Sequence, residues 1–306
     1  MKKIIERINT LRRERNALIL AHVYQPGEIQ DIADYVGDSF GLAHSAAKTD
    51  ADVVVLAGVR FMAESAKLLN PEKTVLFPTR DAGCPMADMI DVEKLTALKQ
   101  KHPGAQVVCY VNSSAAVKAA SDICCTSSNA ARVIASIPGD LPIIFVPDKH
   151  LGSYLARKSG REFILSDGYC PIHQEFRPED VPQLRTRHPQ APLLAHPECS
   201  RELLVLADFT GSTTEIIEYC RDSSHSCFLI ATEKGVFHQL KRIRPDAEFV
   251  SVSGQGGVCP DMKLTTLELI ADALEHNTGA VTIPEELALP ARAALQRMME
   301  LSESKV

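Results

Sequence analysis

The chain of 306 residues has no tryptophan and only 5% aromatic residues, so it lacks the ring platforms on which single-stranded nucleic acid stacks. It has no block of lysine and arginine, and its formal net charge is −6, so the electrostatic footprint of a phosphate-backbone partner is missing too. No apolar run approaches the length of a membrane span; "DVVVLAGV" and "LPIIFVP" are strand-sized. The opening "MKKIIERINTLRRERNALIL" scatters charges at helical spacing and has neither a continuous apolar segment nor a small-residue cleavage site. A cytoplasmic protein is the expectation, with no membrane and no nucleic-acid partner. No two cysteines stand in Cys-x-x-Cys spacing, and nine is an odd number for a disulfide framework. These absences leave a small molecule as the expected partner.

The hydrophobic share of 45% and charged share of 24% are those of a globular chain, long enough to bury one large core or several small ones. Apolar runs bounded by Gly, Pro and Asp alternate with amphipathic segments. "NALILAHVY", "ADVVVLAGV" and "KTVLFPTRD" read as strands, with "EIQDIADYV" and "FMAESAKLL" as helices between them. That alternation predicts α/β architecture with parallel sheets covered on both faces.

The pattern occurs three times. Cys-Pro stands at Cys84-Pro85, Cys170-Pro171 and Cys259-Pro260, 86 and 89 residues apart, each time after a strand-like run and a preceding helix-like one. The first strand of each unit aligns as "LILAHVY", "QVVCYVN" and "PLLAHPE". His22, Tyr110 and His196 are then equivalent, as are Tyr24, Asn112 and Glu198. Seventeen residues after the first set come Ser39, Ser127 and Thr213, each read as a hydroxyl capping the start of a helix. We therefore expect three homologous three-layer α/β/α units around a pseudo-threefold axis. The expected units are 1–85, with 264–306 packing back on it, then 86–171 and 172–263.

Parallel α/β sheets bind ligands beyond the carboxyl ends of their strands, so three units facing one axis would pool these positions in one central site. A single cysteine near a strand end is most often a core residue. Three at equivalent positions suggest a thiolate trio, suited either to zinc with an open fourth position or to three irons of a [4Fe–4S] cluster. Spacing alone leaves both open. Cys109, Cys124, Cys125, Cys220 and Cys227 lack the threefold relation and read as core, while Cys199 is left unassigned. His22 and His196 suit carboxylate binding or proton transfer, with Tyr24 and Glu198 as an acid/base pair. Helix starts at Ser39, Ser127 and Thr213 would favour phosphate or carboxylate groups. Arg60, Lys149 and Lys234 read as surface charges as readily as ligands, and His173 is a candidate neighbour of Cys170.

The stretches "AHVYQPGEIQDIADYVGDS", "GVRFMAESAK", "AGCPMADM", "CYVNSSAAVKAASDICCTSSNA", "DGYCPIH", "AHPEC" and "GSTTEII", in this order, resemble the quinolinate synthases, the A proteins of bacterial NAD biosynthesis. The resemblance covers nearly the whole chain. It implies a [4Fe–4S] cluster on Cys84, Cys170 and Cys259 with one iron left open as a Lewis acid, which decides between iron–sulfur and zinc. It implies condensation of iminoaspartate (iminosuccinate) with dihydroxyacetone phosphate to quinolinate, phosphate and water. It also implies an aspartate-oxidising enzyme as the source of the imine. Substrate-binding positions carry over to His22, Ser39, Tyr110, Val111, Asn112, Ser127, His196, Pro197, Glu198 and Thr213, and proton-transfer roles to Tyr24 and Glu198. Some relatives carry Cys-x-x-Cys-x-x-Cys around the third ligand; "GQGGVCPDM" has Cys259 alone, and Lys263 after it carries no weight. A zinc-dependent lyase or hydrolase acting on a phosphorylated substrate, and a non-catalytic redox sensor, are the competing readings.

Overall fold

The structure is a computed structural model that describes residues 1–303. Its twelve strands form three separate four-stranded sheets, each wholly parallel. The first sheet contains β1 (Ala17–His22), β2 (Tyr35–Gly37), β3 (Val53–Ala57) and β4 (Thr74–Leu76). The second contains β5 (Gln106–Tyr110), β6 (Ile123–Cys125), β7 (Ile143–Val146) and β8 (Phe163–Leu165). The third contains β9 (Leu193–Ala195), β10 (Phe209–Thr210), β11 (Cys227–Ala231) and β12 (Glu248–Ser251). Spatial order is the same in all three: second, first, third, fourth strand. This is the threefold α/β/α architecture expected from the repeat.

Local chemistry repeats with the topology. Asp34, Asp122 and Asp208, just before β2, β6 and β10, each accept the backbone N–H of the unit's first strand, from Ile19, Val107 and Leu193 at 2.7–2.8 Å. The same aspartates donate their own N–H to the carbonyls of Ile19, Val107 and Leu193. The side chain and backbone of one residue thus lock the edge strand in register. This explains a difference from the periodicity reading of "EIQDIADYV" as one helix: the helix is only Gly27–Ile32, and Asp34 turns the chain into β2. Strands β2, β6 and β10, each at one edge of its sheet, have two or three residues, too few to show a period.

The strands β1, β3, β5, β7 and β11 bury almost every side chain, as expected of parallel strands with helices on both faces. Helices Lys2–Glu14 and Leu267–His276 pack together over one face of the first sheet, joining Ile8, Ile270 and Leu274 to Ile19, Val53 and Val55. Helix Glu285–Glu303 packs on Ala115–Ala119, β6 and Arg60–Leu69, so it bridges the first and second units. Among the described residues no helix is long and apolar enough to cross a membrane.

The units meet closely. Gly235, after β11, lies where a Cβ would stand 2.5 Å from the Tyr24 Cα, so only a residue without a side chain permits this approach. Gln30 seals the junction, its Nε2 donating to the carbonyls of Val23, Gln25 and Gly235.

Candidate active site

The carboxyl ends of the three central strands converge on a cavity of about 220 Å³. His22, Tyr24 and Ser39 line it from the first unit, Tyr110, Asn112 and Ser127 from the second, and His196, Glu198 and Thr213 from the third. Cys84, Cys170 and Cys259 line the same space, brought in by the three Cys-Pro loops. Val111 and Pro197 are absent from this lining; Val111 faces a smaller neighbouring pocket shared with Ser39. Arg60 and Lys234 turn to backbone carbonyls of Arg80 and Gly254, and Lys149 lies over the Tyr169 ring, so none of the three lines the cavity.

The helix starts differ from expectation in one respect. Asp38, not Ser39, caps helix Ser39–Lys48, and Ser212, not Thr213, caps Thr213–Asp222 in a capping box with Glu215. The second-unit helix Ala130–Ser136 starts after Asn129, so Ser127 precedes its cap. Since the preceding residues do the capping, the hydroxyls of Ser39 and Thr213 are free of that duty and sit in the cavity wall. Asp38 also accepts from Ser128 and, at 2.8 Å, Thr214, so one buried carboxylate ties all three units together.

The cysteines do not sit at strand ends. Each lies several residues beyond β4, β8 or β12 and opens a short helical turn: Ala87–Met89, Pro171–Gln174 and Asp261–Lys263. Proline in the next position has no N–H to leave unpaired and presets the turn. Backbone N–H groups of these turns point at the sulfurs: those of Met86 and Ala87 at Cys84, His173 at Cys170, and Asp261 and Met262 at Cys259. Burial nevertheless pushes the thiols up, Cys84 to about 12 and Cys259 to about 11, with Cys170 also well above its usual value. Mutual repulsion adds to this, Cys259 acting on Cys84 and Cys84 on Cys170. Three neighbouring thiols with N–H donors aimed at them are a donor set that fits a metal cluster.

Glu233 holds the third of these loops by accepting the Cys259 N–H at 3.0 Å. Asp148 lies beside Cys170, and burial pushes its carboxyl well above the usual range. Glu233 and Asp148 directly follow Thr232 and Pro147 at the ends of β11 and β7, the same position in the repeat, where the first unit has Val59. Lys263 pairs with Glu233 at 2.8 Å and donates to the Tyr24 carbonyl, joining the third cysteine loop to the first unit. Sequence reasoning gave Lys263 no role and missed Thr232, Asp148 and Glu233. The one signal was their shared offset, ahead of Lys149 and Lys234.

A continuous hydrogen-bond chain crosses the cavity floor. Tyr24 Oη lies 2.7 Å from both Thr213 Oγ1 and Thr232 Oγ1. Thr232 Oγ1 is 2.9 Å from His173 Nε2, and His173 Nδ1 is 2.7 Å from Glu198 Oε2. The other carboxylate oxygen accepts from Tyr110 Oη at 2.5 Å. With Glu198 ionised, Nδ1 of His173 donates to it, and Nε2 of the same ring meets the Thr232 hydroxyl that Tyr24 also reaches. His173 also lies 3.3 Å from Cys170 Sγ, as expected of a neighbour of that cysteine.

His22 and His196 share one device. The backbone N–H two residues on, from Tyr24 and Glu198, donates to Nδ1 at 3.2 and 3.3 Å. Burial drives both rings neutral, His22 down to about 4 and His196 to about 3. A neutral ring that accepts at Nδ1 carries its proton on Nε2, which makes both histidines donors on the cavity side. Burial would raise the Glu198 carboxyl, but His173, His196 and the Tyr110 hydroxyl outweigh it and hold it ionised. His196, neutral and 3.9 Å away, is the weaker of the two rings. Burial pushes the Tyr24 and Tyr110 phenols far up, so both stay protonated. Asn112 adds a buried Oδ1 with no partner among the described residues, an acceptor available to a ligand.

The chain is similar to known proteins over nearly its whole length. The model of the family described as "Quinolinate synthetase A protein" matches residues 6–300. The chain is 53% identical over 294 residues to a quinolinate synthase of Geobacter sp. (strain M21), covering 96% of each chain. It is 52% identical over 299 residues to that of Geotalea uraniireducens (strain Rf4), covering 98% of each. It is also 47% identical over 303 residues to that of Trichodesmium erythraeum (strain IMS101), covering 98% of this chain and 94% of the relative.

Proposed function

The chain belongs to the quinolinate synthetase A family of enzymes, and from this premise we propose how its central cavity makes quinolinate from iminoaspartate and dihydroxyacetone phosphate, with release of phosphate and water. The observation that carries the proposal is the chain of short contacts from Tyr24 through Thr232 and His173 to Glu198, beside three inward-facing cysteines.

Cys84, Cys170 and Cys259 would hold a [4Fe–4S] cluster. When bound, it would supply an iron without a protein ligand as a Lewis acid for substrate oxygen. The neutral Nε2–H groups of His22 and His196, with the Ser39, Ser127 and Thr213 hydroxyls, donate to carboxylate or phosphate oxygens. His196 Nε2 already reaches Ser127 Oγ at 3.3 Å. No lysine or arginine lines the cavity among the described residues, so anions are held here by neutral donors and helix-start N–H groups. Asn112 Oδ1 accepts a substrate N–H or O–H.

Tyr24 is the acid. Its phenol gives a proton to a departing hydroxyl and is reprotonated along the chain: Thr232 hands on its proton and takes one from Nε2 of the His173 ring in its doubly protonated form, whose charge Glu198 balances. Tyr110 holds the second Glu198 oxygen, and that carboxylate is the base for protons lost from carbon or nitrogen during ring closure. Val111 and Pro197 support their neighbours from behind the wall. The division into units 1–85, 86–171 and 172–263 belongs to the same proposal, supported by one complete sheet falling inside each range.

Cys170, His173 and Glu198 present donor atoms within 4.8 Å of one another, a set that zinc could also take. His173 and Glu198 are, however, already engaged by Thr232 and Tyr110. An aspartate-oxidising enzyme would supply the imine. The test is anaerobic incubation with an imine source and dihydroxyacetone phosphate. Quinolinate and phosphate in equal amounts support the proposal. A colourless zinc protein with full activity would replace the cluster by zinc, and no quinolinate would favour a sensor.

A further inference from the structure

We propose that the third unit carries a second metal site, formed by His188, Cys227 and Glu248 and suited to zinc or another thiophilic divalent ion. Cys227 and Glu248 are the first residues of β11 and β12, and the parallel pairing sets them directly opposite each other. His188 ends helix Val181–Arg187, and its Nδ1 stands 3.4 Å from Cys227 Sγ and 3.9 Å from Glu248 Oε2. All three donor atoms lie within 4.8 Å of one another.

Tetrahedral zinc with one sulfur, one nitrogen and one oxygen ligand places those atoms roughly 3.3–3.8 Å apart, so little rearrangement is needed to receive an ion. Sulfur, imidazole and carboxylate together favour zinc over magnesium or calcium, which prefer all-oxygen sites. His225, two residues before Cys227, lines the same surface hollow of about 390 Å³ as His188 and Cys227 but keeps its Nδ1 on Ser223, so the fourth position is left to water. Cys227 read from the sequence as a core residue, yet it is only half-buried.

The site shares no residue with the central cavity and lies at the amino ends of the strands, opposite the cavity. Its role would be a staple joining a helix end to the starts of two strands. Burial and Glu248 raise the Cys227 thiol, so binding must displace one proton to solvent as the metal–sulfur bond forms.

The test uses the whole protein, purified anaerobically, dialysed against micromolar zinc and assayed for elements. The expected result is about one zinc per chain bound in addition to the iron, with one proton released per ion. Cys227→Ser and Glu248→Gln should each weaken zinc binding at least about tenfold while iron content stays unchanged. Cobalt in place of zinc should produce a thiolate-to-cobalt charge-transfer band that Cys227→Ser lacks. Glu248 is largely exposed, so its variant remains informative if the cysteine variant folds poorly. No zinc above the iron, or equal zinc in wild type and both variants, would overturn the proposal.

Discussion

The Nδ1 of His173 stands 2.7 Å from Oε2 of Glu198, and both side chains are almost fully buried. On its other side the same ring reaches Tyr24 through a single threonine hydroxyl. If this chain restores the Tyr24 proton, His173→Gln should lower kcat by about 10²–10⁴ with iron content unchanged. Steady-state kinetics beside iron analysis checks this. A kcat within a few-fold of wild type would remove the ring from the relay.

Tyr24→Phe tests the other end. The Thr213 and Thr232 hydroxyls would each lose a 2.7 Å partner in a buried site, which should cost about 1–3 kcal/mol in urea unfolding. The kinetic loss should resemble that of His173→Gln, and the double variant should be little worse than either single one, because both break one chain. Multiplicative losses would show that the two residues act separately.

What could be read from the sequence was whatever the three repeats place at equivalent positions. Cys84, Cys170 and Cys259 keep one residue type through all three units, and His22 and His196 keep one through two, so equivalence marked them. Thr232 corresponds to Gly58 and Pro147, and Glu233 to Val59 and Asp148, so only their register singles them out. Lys263 acquires its contacts when the loop after Cys259 folds back on Tyr24, a tertiary event with no local period. Strands β2, β6 and β10 escape because two or three residues carry no alternation, although Asp34, Asp122 and Asp208 mark where each begins. A hydroxyl near a helix start is ambiguous by one position, and at Ser39 and Thr213 the preceding residues, Asp38 and Ser212, are the caps.

Gly235→Ala should disturb the site from behind. The added methyl would meet the Tyr24 backbone at 2.5 Å, and backbone cannot yield as a side-chain tip can. We expect a loss of about 1–3 kcal/mol in stability together with lower turnover, since the displaced residue carries the acid. Lys234→Ala, which removes only a contact to the Gly254 carbonyl, is the control and should be near neutral. Equal behaviour of the two variants would contradict the close approach.

The buried neutral histidines give the fold a pH dependence. His22 and His196 fall from 6.5 to about 4 and about 3 on folding, so between these values and 6.5 the unfolded chain binds more protons. Their contribution is therefore complete above pH 6.5 and is lost as pH falls toward the folded values. The slope approaches about 1.4 kcal/mol per pH unit for each ring. Urea unfolding between pH 6 and 5 should show His22→Asn with a slope shallower by close to one proton. An unchanged slope would mean that His22 is not buried neutral.

The central claim is that three cysteines, 86 and 89 residues apart in sequence, form one iron–sulfur site at the meeting of three units. The most direct measurement is iron and acid-labile sulfide per chain, under strict anaerobiosis, in wild type and in Cys84→Ala, Cys170→Ala and Cys259→Ala. A brown wild-type protein with about four of each is expected. All three variants should lose visible absorbance, with circular dichroism unchanged. Full iron and sulfide in any one of these variants, or zinc in place of iron in the wild type, would contradict the central claim.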